Sequence, residues 1–570
     1  FSPGQCIGIL VGISTVIQQG EGGGEEPQPR RTASQPACQP GREILLLVLP
    51  RGEAAAWRPG EETPEEEEEE EAGIPAGSCR GSRCGAGKAP GVGGRMEGSW
   101  ARMETPAAAA LLLAVLLGCL AAKLLWSRRR DEPPRIRGWL PWVGAALQFG
   151  QAPLEFIEQA RIKYGPVFTV YMLGKRYTFV TEEEGSRVFC TSKDADFEQA
   201  VQQSVEHAVS VPKEIFYQNR FKVYMMMKGR LSPLNLPQLV GSICAEVQEH
   251  MQDLGAEGTK SLHDLVRHIM FPAVANTLFG KDAFLKTKIN TKELQEHFQN
   301  YDDDFEYATQ LPEYLMRKWS KSKKWLLEVF EKVVFHAERM NPPDSDSKTL
   351  MHHVLDTLTV KRFGPHYGLL LLWAAQANAV PVSFWTLAFI LSHPSVYNNV
   401  MQEVESVLGK AGKEKVEVSN KDLKKLQFIK WCVLESVRLR APGVITKKAM
   451  NPIRLQNFVI PAGDMLMLSP YWSHRNPKYF PEPEVFKPDR WKEANLEKNA
   501  FLEGFVAFGG GSHQCPGRWF AIAEIQVLVV LFLYKYECNL MDPVPKESPL
   551  HLTGTQQPEG PCRIRYKRRT

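Results

Sequence analysis

Apolar and polar residues divide the chain into three zones. Residues 1–94 show no sustained amphipathic periodicity: Gly, Pro and Glu recur, and Glu65 to Glu71 is an unbroken acidic run, a composition expected to stay disordered. Ala107 to Trp126 is the opposite, about 20 positions with a single charge at Lys123, long enough to cross a bilayer core of roughly 30 Å. From there on helical periodicity dominates, predicting helices over 153–164, 262–278, 367–391, 394–408, 423–439 and 516–536. Short β-rich pieces at 167–172, 177–180, 458–460 and 465–469 predict strands. No internal repeat is visible. The expected fold class is mainly α with small β-sheets, preceded by one N-terminal transmembrane helix.

This pattern sets expected boundaries. Residues 1–102 read as an upstream extension, with Met96 or, better, Met103 as the natural start; an acidic regulatory tail is the competing reading. Residues 103–130 read as a membrane anchor with the basic flank Arg128, Arg129 and Arg130, which the positive-inside tendency places in the cytosol. A cleaved signal peptide fits less well, because the apolar run is long and its charges follow it. Residues 131–153 are a proline-rich, stiff lead, and 154–570 form one domain. A composition of 43% hydrophobic and 24% charged residues with a formal net charge of +4 suits a globular protein with no commitment to nucleic acid. The 11 cysteines show no repeated Cys-x-x-Cys pairing, so most are expected to be free thiols in a reducing compartment.

One cysteine stands in a distinctive run, Phe508-Gly-Gly-Gly-Ser-His-Gln-Cys515-Pro-Gly517. Glycines at 509, 510 and 511 free the backbone for tight, positive-φ turns and let the loop approach a flat ligand, with Phe508 beside it. Pro516 suits a first helical position, so Cys515 is expected at the start of a buried helix. Unpaired amides there favour negative charge and are expected to lower the thiol pKa. An isolated Gly-x-x-Cys is more often a structural cysteine; the full spacing decides otherwise. Phe508, Gly511, Cys515 and Gly517 match Phe-x-x-Gly-x-x-x-Cys-x-Gly, and the run resembles the heme-binding signature of the cytochrome P-450 family.

That resemblance implies heme b with Cys515 as its axial thiolate and metal ligand, and it gives meaning to residues that are otherwise ordinary. Glu435 and Arg438, three apart on one helix face, and Arg490 in Phe486-Lys-Pro-Asp-Arg-Trp491 stand where the family has a structural Glu-x-x-Arg network. His513 and Lys447 stand where heme propionate partners are usual, and Lys228 is carried over more weakly because the usual Trp-x-x-x-Arg is absent. Asn378 and Ala379 replace the acid and the threonine of the usual Ala-Gly-x-Asp/Glu-Thr run. This removes the usual proton relay, leaving ordered water, the Asn378 amide or a substrate hydroxyl to serve. Pro381 removes one helical hydrogen bond and frees a carbonyl nearby.

These departures resemble the sterol-hydroxylase branch of the family and prostacyclin synthase. The resemblance implies an endoplasmic reticulum membrane enzyme, its catalytic domain cytosolic, that takes electrons from NADPH through cytochrome P-450 reductase. It would use O2 to hydroxylate an oxysterol substrate received from membrane lipid. A thiolate-heme isomerase of the prostacyclin-synthase kind and a non-catalytic sterol-binding heme protein are the alternatives.

Overall fold

The computed structural model describes residues 110–119, 131–140, 142–286, 289–308, 313–340, 347–413, 416–494, 504–509, 514–548 and 554–569. The principal helices are α1 (Pro153–Tyr164), α2 (Lys213–Arg230), α3 (Leu236–Gln252), α4 (Leu262–Phe279), α5 (Thr291–Asp303), α6 (Gly364–Gln376), α7 (Ala379–Ser392), α8 (Gln427–Arg440) and α9 (Arg518–Lys535). Strands are short: β1 (Arg135–Ile136), β2 (Val167–Met172), β3 (Lys175–Val180), β4 (Ala195–Asp196), β5 (Glu257–Ser261), β6 (Ile445–Ala449), β7 (Ile453–Leu455), β8 (Phe458–Ile460), β9 (Met465–Leu468), β10 (Tyr536–Leu540), β11 (Lys546–Glu547), β12 (Pro558–Glu559) and β13 (Arg563–Arg568). Six of them form a sheet in the order β1-β2-β3-β9-β6-β4, three form β10-β13-β5, and β7-β8 and β11-β12 are two-stranded.

Helix α9 is buried along nearly its whole length, from Phe520 to Lys535, because it packs against α3, α7 and α8 at once. A helix enclosed on all sides needs apolar residues all round rather than a stripe. Helix α4, which packs on α3 and α7, has the same all-round character, and its start is capped by the Ser261 side chain accepting from the Asp264 N–H. These five helices hold the main core. The large sheet carries a separate core around Phe149, Phe168, Phe179 and Met467.

Three expected helices differ in detail. The segment expected at 367–391 is broken into α6 and α7 at Ala377 and Asn378, because Pro381 has no N–H for the Ala377 carbonyl. The segment expected at 423–439 divides at Leu426 into Asn420–Lys425, with a Ser419–Asp422 capping box, and α8. Helix α9 begins at Arg518 with Gly517 as its N-cap, so Pro516 stands before the helix rather than inside it. Of the apolar run at 107–126, residues Ala110–Cys119 are helical with Leu111, Leu112, Leu113, Leu116 and Leu117 exposed; the rest of it, and residues 1–102, lie outside the described residues.

Candidate functional site

The loop before α9 is closed by its own backbone. The Cys515 N–H donates to the Phe508 carbonyl at 2.8 Å, and Gly509, at φ 72°, donates to Val506 at 2.9 Å, a conformation that glycine adopts without penalty. Gly510, Gly511 and His513 lie outside the described residues. Cys515 then sits ahead of the Gly517 N-cap, where the N–H groups of Gly517 and Arg518 and the Arg518 guanidinium favour its thiolate. Burial outweighs them and pushes the Cys515 thiol up from the ordinary cysteine value. The helix start therefore does not by itself prepare a thiolate, which corrects the expectation from sequence; desolvation of a charged sulfur costs more than these amides return. An iron at the sulfur would displace that proton, since a coordinating thiol is deprotonated.

Two side chains that sequence reasoning did not assign brace this loop. Tyr224 of α2 donates its hydroxyl to the Gln514 carbonyl at 3.0 Å, and Arg518 donates to the Cys515 carbonyl at 3.2 Å while its guanidinium lies 4.8 Å from the Trp519 ring centre. Lys228 lies one turn beyond Tyr224 on the exposed side of α2. Lys447, on β6, is buried and donates to the Phe189 carbonyl at 2.9 Å.

Behind the loop stands a satisfied ionic cluster. Glu435 is fully buried and accepts from Arg438 Nε and Nη2 at 2.9 and 2.8 Å, from Arg490 Nε at 2.9 Å, from the Lys487 N–H at 3.0 Å and from Trp491 Nε1 at 2.9 Å. Arg438, equally buried, spends its remaining donors on the carbonyls of His474 at 2.8 Å and Pro483 at 2.6 Å. A buried ion pair is tolerable only when its lone pairs and protons are filled in this way. His474 extends the cluster to the cysteine loop: its Nε2 accepts from the Val506 N–H at 3.2 Å, which leaves Nδ1 to donate to the Arg438 carbonyl at 3.2 Å. Trp491 follows Arg490 directly and was legible as a partner only by adjacency; His474 carried no local signal.

The break between α6 and α7 forms a different kind of surface. Helix α7 is buried from Ala379 to Ile390, yet Ala374 and Asn378, one turn apart, are exposed. This leaves an open, unpacked edge at the helix break. The Asn378 Oδ1 accepts from the Thr555 N–H at 3.0 Å and from its hydroxyl at 3.2 Å. Ala379, buried, offers no hydroxyl, and Ser383 spends its own on the Ala379 carbonyl at 2.8 Å.

These residues fit a flat, iron-bearing cofactor. A half-buried cysteine at a closed loop supplies one soft ligand with amide donors aimed at it, and α2 and Arg518 hold the loop in place. Comparison with known proteins agrees. The family model described as Cytochrome P450 matches residues 133–565. The chain is 55% identical over 459 residues to the 24-hydroxycholesterol 7-alpha-hydroxylase of Homo sapiens, covering 80% of this chain and 98% of that protein. It is 29% identical over 496 residues to the human 7-alpha-hydroxycholest-4-en-3-one 12-alpha-hydroxylase, covering 80% and 97%. Among solved structures, retinoic acid bound cyanobacterial CYP120A1 superposes with a TM-score of 0.63 at 20% identity, over 77% of this chain and all of that one, which speaks for the fold. The fold, the closed cysteine loop and this family match lead to one statement: the chain belongs to the cytochrome P450 family.

Proposed function

We propose that the protein is a heme-thiolate monooxygenase that places a hydroxyl at the 7α position of an oxysterol, with 24-hydroxycholesterol as its substrate. The observation that carries this reading is the 55% identity sustained over 98% of a human 24-hydroxycholesterol 7-alpha-hydroxylase; the mouse protein of the same name is 53% identical over 463 residues. Bound heme supplies dioxygen activation, with a thiolate ligand favouring O–O cleavage.

The chain's own residues do the rest. Cys515 would hold the iron through its sulfur, and Phe508, Gly511 and Gly517 are proposed as the residues of the loop that would present it. Lys447, Lys228 and His513 are proposed for the cofactor's carboxylates, which want charged donors. Glu435, Arg438 and Arg490 hold the segments behind the loop. Asn378 and Ala379 line the reacting side, where ordered water, the Asn378 amide or a substrate hydroxyl serves proton supply in place of an acid and a threonine hydroxyl. Electrons come from NADPH through a reductase. Residues 103–130 anchor the enzyme in the endoplasmic reticulum membrane with the domain at 154–570 cytosolic, 131–153 keeping it near the lipid from which the sterol arrives.

Purified full-length chain with reductase, NADPH and 24-hydroxycholesterol is expected to give a 7α-hydroxylated, O2-dependent product. A peroxide rearrangement without NADPH would favour an isomerase instead. In Cys515→Ser, survival of a thiolate-type carbon monoxide spectrum would remove the axial assignment.

A further inference from the structure

Asn378 is the side chain at the broken helix whose role the geometry narrows furthest. The Thr555 backbone N–H can only donate, so the Asn378 atom 3.0 Å from it must be the carboxamide oxygen. The Thr555 hydroxyl donates to the same atom at 3.2 Å. Both contacts fall on one edge of a planar amide, so the opposite edge, carrying two N–H donors, is turned away from Thr555. Asn378 is exposed although α7 from Ala379 onward is buried, so that edge is open; on the monooxygenase reading it faces the substrate cavity.

The segment that holds the amide is itself fixed. Thr555 and Gln556 are buried; the Gln556 N–H donates to the Arg440 carbonyl at 2.9 Å, and its carbonyl accepts from Trp385 Nε1 at 2.7 Å. Ser548 donates to the Gln557 carbonyl at 2.8 Å, beside the β11-β12 pairing. Gly554 approaches the same oxygen: a methyl group there would lie 3.1 Å from Asn378 Oδ1. A residue 177 positions away in sequence, Thr555, therefore sets the orientation of a side chain at the helix break.

We propose that Thr555 is a positioning residue which locks Asn378 with its oxygen inward, so that Asn378 presents N–H donors to an oxygen acceptor in the cavity, either an ordered water or a hydroxyl of the bound substrate. The inference deepens the monooxygenase reading and rests on it for the meaning of the cavity. It makes the residue at 378 a donor in place of a proton-exchanging acid.

Asn378→Asp separates the two edges, because a carboxylate still accepts from Thr555 but cannot donate. Hydrogen exchange of the 554–557 segment, measured on the apoprotein, is expected to match the parent in Asn378→Asp and to speed up in Asn378→Leu, which removes the acceptor. In the heme-loaded enzyme, Asn378→Asp is expected to lower product formed per NADPH consumed about tenfold, the worth of one hydrogen bond, with an unchanged carbon monoxide spectrum. Thr555→Val and Gly554→Ala are expected to shift coupling in the same direction by a smaller factor. If affinity falls instead for side-chain-hydroxylated sterols but not for cholesterol, the acceptor is the side-chain hydroxyl of the substrate; if coupling alone falls, it is water. Unchanged exchange in Asn378→Leu, or equal or better coupling in Asn378→Asp, overturns the proposal. A parent with no sterol product defeats the monooxygenase reading, while the exchange arm still tests the clasp.

Discussion

Glu435 and Arg438 are fully buried charges, so their value lies in mutual satisfaction rather than in attraction across water. Removing one partner leaves the other uncompensated, which costs about 3–5 kcal/mol. Arg438→Leu is therefore expected to lower stability by that amount in denaturant unfolding, and Arg490→Leu by less, because Arg490 is partly exposed. Two further buried groups tilt the pH dependence in opposite senses. His474, between Arg438 and Arg475, is pushed down to about 3 by burial and by those charges. It is neutral in the fold and protonates only in the unfolded chain as pH drops below about 6.5, so stability is lost from there towards pH 3. Glu524 is buried and its carboxyl is held well above the ordinary range by desolvation. It keeps its proton in the fold and loses it in the unfolded chain above about pH 4, so its contribution falls as pH rises. Glu524→Gln is expected to be more stable than the parent at pH 7, with the gain shrinking towards pH 4; His474→Gln is expected to flatten the acid limb. Thermal melts across pH 4–8 check both, and parallel curves for parent and variants would contradict both.

At the scale of elements, local periodicity was the most readable signal. Helix α1, the helix at Pro394–Leu408 and strands β2 and β8 have the bounds their patterns predict, since each is set by its own capping or turn residues. The broken segments were not readable, because apolar positions run unbroken through 367–391 and only the loss of one backbone donor at Pro381 and the exposure of Asn378 reveal the division. Proline is tolerated there because it occupies the first turn of α7, where N–H groups lack helical partners. Pro381→Ala would return a donor to the Ala377 carbonyl. It is expected to raise the melting temperature and, by joining α6 to α7, to turn the Asn378 side chain from Thr555; hydrogen exchange at 554–557 should then increase. A variant with unchanged exchange and no gain in stability would mean that the break is imposed by packing instead of by proline.

For the whole molecule, the candidate site depends on contacts far apart in sequence. His474 meets Val506, Tyr224 meets Gln514, and Asn378 meets Thr555; no window of sequence contains any of these pairs. What the sequence did display was the cysteine loop and the spacing of Glu435, Arg438 and Arg490, because a helix face and a tight turn are local geometries. The proton state of Cys515 went the other way from the local argument, since burial is a property of the whole fold and outweighs two amides. The most direct test is turnover of 24-hydroxycholesterol by the purified full chain with reductase and NADPH under labelled dioxygen. The account predicts a 7α-hydroxylated product bearing one labelled oxygen. A product lacking the label, or no sterol product from a preparation with an intact thiolate-heme spectrum, would contradict it.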